Sequence, residues 1–198
     1  MKQFSIFNFQ FSKQKNRGFT LVETLVAISI FSVSLVGLMT VLGQGIANTG
    51  YAKKKAIAAF LAQEGIEYVR NIRDTYMLYG ATTSAGWTSF NNKLIGASCQ
   101  LANGCYFDDS SLNFSSQTQP IVSIPFYACS GSCPIMYYDP TYGRYNYALG
   151  SSSEYRRKIN ITQLNGATEA RITSTVYYSQ GSGTYSVSFS ESLFNWVE

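Results

Sequence analysis

A chain of 198 residues leaves room for a membrane segment and one ordinary domain. It contains no His, which removes the commonest general base, pH switch and metal ligand together. The formal charge of +4 is no nucleic-acid footprint: Lys2, Lys13, Lys15 and Arg17 supply the excess, and without them the 15 cations fall level with the 11 acids. Charged residues are sparse, and Tyr, Ser, Thr, Asn and Gly dominate the remainder, a surface chemistry that suits a secreted β-rich domain.

Residues 1–18 (MKQFSIFNFQFSKQKNRG) are polar and basic, with phenylalanines interspersed. An apolar run opens abruptly at Phe19 and stays apolar through Leu42. As a helix it is long enough to cross a bilayer at about 1.5 Å per residue. It holds one charge, Glu23, and the next is Lys53. A carboxylate there costs about 2.5–3.5 kcal/mol or more in hydrocarbon, so Glu23 is a functional candidate. An ordinary secretory signal is cut beyond its apolar core. Here the scissile boundary, Gly18–Phe19, precedes that core.

The run Arg17-Gly18-Phe19-Thr20-Leu21-Val22-Glu23, with the apolar helix behind it, resembles the prepilin cleavage and methylation motif of type IV pilins and pseudopilins. The likeness covers residues 13 to about 50; further on it is one of architecture. The run at 59–74 (AFLAQEGIEYVRNIRD) and the C-terminal hairpin ending in Trp196 resemble minor pilins. The resemblance implies that a membrane prepilin peptidase cuts after Gly18 and N-methylates Phe19, and that Glu23 is needed for assembly. The physics is compatible: the cut leaves a cationic amine at the edge of an apolar filament core, where Glu23 of a neighbouring subunit neutralises it. A buried lone charge is heavily penalised, whereas a paired one is tolerable and sets register. The plain alternative is a Glu23 that snorkels at the cytoplasmic interface.

No Pro occurs before Pro120, so the helix is expected to continue to about Asp74, weakened at Gly37, Gly43, Gly45 and Gly50 by about 1 kcal/mol each relative to Ala. Tyr51–Tyr79 is amphipathic. Ile57, Leu61, Gly65, Tyr68 or Val69, Ile72 and Tyr76 recur at helical spacing, with Phe60 and Ile66 widening the stripe. Such a stripe needs a sheet to lie on. Residues 80–118 shift to Gly, Ser, Thr, Asn and Ala around Trp87, Phe90 and Leu94, and read as a long surface loop. Asp108-Asp109-Ser110-Ser111 lacks calcium-loop spacing and reads as a solvated turn.

Cys99, Cys105, Cys129 and Cys133 allow three pairings. Two local disulfides, Cys99–Cys105 and Cys129–Cys133, suit an exported domain; free thiols and a zinc site are the competing readings. Strand patterns follow at Ile121–Ala128, where Pro125 indicates an edge, at Tyr155–Thr162, at Glu169–Tyr178, and after a turn at Gln180–Gly183. Leu193, Phe194, Trp196 and Val197 are expected to pack the chain end back. The Tyr137, Tyr138, Tyr142, Tyr145, Tyr147 run serves equally as a sugar- or surface-binding patch or as aromatic packing.

These patterns predict an α+β, pilin-like fold: a leader (1–18), a hydrophobic helix (19–50) and a head (51–198). The head divides into amphipathic helix 51–79, loop 80–118 and an antiparallel sheet of about four strands in 119–198. No catalytic constellation or metal site emerges and no cofactor is implied, so the expected role is structural. The resemblance implies a minor pilin processed by prepilin peptidase, with other pilin subunits, the membrane and an assembly-platform protein as partners; the near-neutral charge after Phe19 argues against nucleic acid as a partner. The precursor would be single-pass in the cytoplasmic membrane with its head outside, and the processed chain would lie in the pilus at the cell surface. Alternatives are a pseudopilin of a type II secretion or DNA-uptake system and a membrane-anchored binding protein that never polymerises.

Overall fold

The computed structural model describes residues 18–108, 126–164 and 168–195. Leader residues 1–17, Asp109 to Ser111, residues 121–125, Trp196 and Val197 lie outside the described residues. The chain divides into two units, Met1–Asn48 and Thr49–Glu198, and helix α1 (Leu21–Tyr79) is continuous through both. Gly37, Gly43, Gly45 and Gly50 therefore do not interrupt it.

In the second unit the amphipathic part of α1 buries Ala58, Leu61, Ala62, Gly65, Ile66, Val69, Ile72 and Tyr76. The small residues in this stripe let the helix sit close to the sheet. At Gly65 a Cβ would overlap the Ser174 hydroxyl and stand 3.1 Å from Ser174 Cβ and Ile159 Cδ1, so any larger residue would need these side chains to shift. Phe60 does not widen the stripe; it is 72% exposed. It falls on the same helix face as Glu64 and Glu67, away from the core residues.

The fold is α+β, with antiparallel pairing throughout the two sheets. The main sheet has five strands in the order β2 (Phe126–Ala128), β1 (Cys105–Phe107), β6 (Arg156–Leu164), β7 (Glu169–Gln180), β8 (Gly183–Phe194). A second sheet orders β4 (Arg144–Asn146), β3 (Tyr137–Asp139) and β5 (Ser151–Ser152). The expected four strands are thus too few, because short pieces from the turn-rich regions also pair. β2 takes the edge position indicated by Pro125. The β7–β8 hairpin closes on Gln180↔Gly183, with Gly181 at φ +59° supplying the left-handed turn residue.

Residues 80–118 are not one long loop. Thr83–Gly96 forms helix α2, whose N-cap Thr82 accepts a hydrogen bond from the Ala85 N–H at 3.2 Å. Trp87, Phe90 and Leu94, isolated on a composition reading, lie at helical spacing on its buried face. They join Val69, Ile72, Tyr76, Phe107, Ile159 and Ile172 in one core. A second cluster gathers Ala58, Leu61 and Ala62 with Met136, Tyr155, Val176 and Tyr178.

Phe107 is the centre of the first cluster. Its ring stacks on Tyr68 at 3.6 Å, meets Phe126 edge-on at 6.0 Å, and lies 4.1 Å below the Arg157 guanidinium. Arg157 is only 1% exposed. Its Nη1 donates to the Leu61 carbonyl at 3.3 Å and to the Glu64 carboxylate at 2.7 Å, which ties sheet to helix.

Part of the tyrosine run is packing. Tyr145 meets Tyr155 edge-on at 5.5 Å and Tyr147 lies 4.8 Å from Tyr106, whereas Tyr142 is exposed. Burial pushes Tyr147, Tyr155 and Tyr178 up from 10.0 to about 12, because the phenolate is the form that desolvation penalises; a hydrogen bond with Tyr51 adds to the rise at Tyr178. The folded state therefore holds these protons where the unfolded chain releases them. This contribution to stability is complete below about pH 10 and is lost as pH rises toward 12. Phenolate absorbance in an alkaline titration should rise in step with loss of near-UV circular dichroism. A smooth, non-cooperative tyrosine titration with the fold intact would contradict it.

Candidate processing and assembly site

Gly18, Phe19 and Thr20 precede the first helical residue, Leu21, and all three are exposed. The Gly18–Phe19 bond therefore lies outside the helix and is accessible. Thr20 caps the helix. Its carbonyl accepts from Glu23 N–H at 3.1 Å and Thr24 N–H at 3.2 Å, and its Oγ1 also accepts from Glu23 N–H at 3.3 Å. Thr20 and Glu23 thus stand as the first and last members of a Thr-x-x-Glu capping pattern, with the carboxylate in the first turn where the helix dipole favours negative charge. The sequence reading passed over this cap, although the three-residue spacing announces it.

Every residue from Gly18 to Thr49 is exposed, including Phe19 at 81%. Among the described residues, α1 is the helix long and apolar enough to cross a membrane. The hydroxyls of its apolar stretch are handled internally. The hydroxyls of Thr24, Ser29, Ser32, Ser34 and Thr40 donate to the carbonyls of Leu21, Leu25, Ile28, Ile30 and Val36 at 2.8–3.0 Å. Satisfied within the helix, they make no demand for water, which is what an apolar environment requires. The Glu23 carboxylate differs: it has no hydrogen-bond or ion-pair partner among the described residues. Of the side chains from Leu21 to Leu42 it is the one that still needs a cation.

The other residues singled out by sequence lie in the second unit. The four cysteines form two local disulfides, Cys99–Cys105 and Cys129–Cys133. The first follows the C-terminus of α2 and ends on β1; the second follows β2. They stabilise turns in the head and are separate from the N-terminal chemistry.

Residues 13–39 match the family described as the prokaryotic N-terminal methylation motif. No curated protein and no solved structure matches the chain. The matched stretch contains the exposed Gly18–Phe19 boundary, the Thr20 cap and Glu23, and it leads into an apolar helix followed by an antiparallel α+β head. That combination supports a type IV pilin-like precursor.

Proposed function

We propose that the chain is a minor subunit of a type IV pilus or pilus-like filament. It enters the cytoplasmic membrane through Phe19–Leu42, with the basic leader inside and the head outside, as expected from the cations before Gly18. The local disulfides fit an oxidising compartment for the head. Prepilin peptidase cuts after Gly18 and methylates the Phe19 amine, and the helix leaves the bilayer to pack against other subunits. The observation that carries this reading is the unpartnered Glu23 in an apolar helix whose hydroxyls are all satisfied. A plain anchor has no use for that charge, whereas a filament uses it to pair the processed amine of a neighbour. The likeness of residues 59–74 to minor pilins supports the minor role.

Intact-mass and N-terminal mass spectrometry of the chain from cells containing prepilin peptidase tests the processing step. The expected mature chain begins at N-methyl-Phe19, and Gly18→Val should accumulate as the uncut precursor. An intact leader on a chain whose head is at the cell surface would instead favour the anchored binding protein.

A further inference from the structure

The two faces of the main sheet carry opposite chemistry. Arg157, Ile159 and Ile161 on β6 and Ile172, Val176 and Tyr178 on β7 are buried. Strand alternation therefore places Arg156, Lys158 and Tyr177 on the other face, with Arg156 and Tyr177 directly opposed in register. This face is polar, and Thr173–Ser190 and Thr175–Ser188 hydroxyl pairs at 2.9 Å run along it.

Both disulfide loops wall one end of this face. Asn160 Nδ2 donates to the Leu101 carbonyl at 2.8 Å and fastens the Cys99–Cys105 loop to β6. Gly104, at φ +66°, lies so close that a Cβ would stand 2.6 Å from the Ile159 carbonyl oxygen. Cys129 N–H donates to the Gly104 carbonyl at 3.0 Å, hanging the second loop on the first. Between them is a cavity of about 280 Å³, lined among others by Asn103, Ser132, Arg156, Lys158, Tyr177 and Thr184.

The charge in this cavity is unbalanced. Lys54, Arg70, Arg73 and Arg157 all have carboxylate partners, whereas Arg156 and Lys158 have none among the described residues. Among the described residues, no Asp or Glu lines the cavity. Arg156 Nη1 donates to the Cys133 carbonyl at 2.7 Å and Lys158 Nζ to the Ala102 carbonyl at 3.4 Å. These bonds hold the cations in place and leave their further N–H donors for a ligand. Lys158 Nζ also stands 5.9 Å from the Tyr177 ring centroid, so charge and aromatic surface are adjacent.

We propose that this cavity binds a carboxylate-bearing sugar. Its carboxylate would take Arg156 and Lys158, its ring would lie on Tyr177, and its hydroxyls would meet Asn103, Ser132 and Thr184. A guanidinium fork and an ammonium suit a carboxylate, and the walls are held by disulfides and backbone bonds before any ligand arrives. The volume of the cavity suits a compact ring. The inference concerns the head alone and does not depend on filament assembly.

Calorimetric titration of the full-length chain in detergent micelles with sodium D-glucuronate, at constant ionic strength, tests it. Saturable binding is expected, with D-glucose at least about tenfold weaker, the scale of one charge-assisted contact. The R156Q/K158Q double variant should weaken glucuronate by about tenfold or more on the same grounds. Arg171→Gln, a cation of the same face outside the cavity, should leave binding unchanged. Because Arg156 also holds the Cys133 carbonyl, melting is followed by circular dichroism, and Lys158→Gln alone decides the matter if the double variant melts early. Absence of saturable binding overturns the proposal. So does equal affinity in the deciding variant, or sulfate binding as tightly as glucuronate, which marks a bare anion site.

Discussion

Glu23→Gln should insert into the membrane and be processed normally, yet fail to enter filaments. The two roles available to Glu23 predict different outcomes for this substitution. As the last member of the Thr20 cap, Glu23 acts on its own helix, and Gln serves that role nearly as well as Glu. As the partner of a neighbour's processed Phe19 amine, it acts through charge, which Gln lacks. Leaving one member of a buried ion pair uncompensated costs about 3–5 kcal/mol. A loss of that size per subunit lowers incorporation by more than about a hundredfold. Glu23→Asp keeps the charge on a shorter stem and should retain part of the incorporation. Fractionation into membrane and sheared filaments, with immunoblotting of each, provides the readout. Wild-type amounts of the Gln variant in filaments would reduce Glu23 to a helix cap.

Phe107→Ala should be the most damaging single truncation in the head, at about 3–5 kcal/mol. The ring is fully buried, and its loss removes the stack on Tyr68, the edge contact with Phe126 and the aromatic surface under Arg157. The last of these matters most, because Arg157 is a buried cation whose partner Glu64 remains nearly half exposed to water. Thermal melting of the full-length chain in detergent, followed by near-UV circular dichroism, should fall by about 10 °C for a head of this size. Phe60→Ala provides the control: its exposed ring holds nothing in the head, and its melting point should stay within about 1–2 °C of wild type. Equal shifts in the two variants would remove Phe107 from the centre of the core.

The fold class was legible because its signals are periodic. The helical recurrence of Leu61, Gly65, Val69, Ile72 and Tyr76 and the two-residue alternation along β7 each point one face inward, and helix and sheet then have to meet. α2 was missed for a related reason. Its Ser-, Thr- and Asn-rich composition suggests a loop, and only the spacing of Trp87, Phe90 and Leu94 with the Thr82 cap reveals the helix. Phe60 shows the converse error, since being apolar did not place it on the buried face.

The N-terminal site and the cavity on the outer sheet face differ in how far apart their residues lie. Gly18, Phe19 and Glu23 are near neighbours in sequence, and the roles proposed for them rest on chain-local chemistry: an accessible bond, an apolar run and one charge inside it. The sequence by itself was therefore enough to propose them. Arg156, Lys158, Tyr177 and the loops at Asn103 and Ser132 are brought together by register and by backbone bonds between distant segments. A cation two residues from another on a strand says nothing of what it faces until the neighbouring strand is aligned. Tertiary structure alone decided that Arg157 turns inward to Glu64 while Arg156 and Lys158 turn outward, because strand alternation separates adjacent side chains and only packing against α1 determines which side is buried.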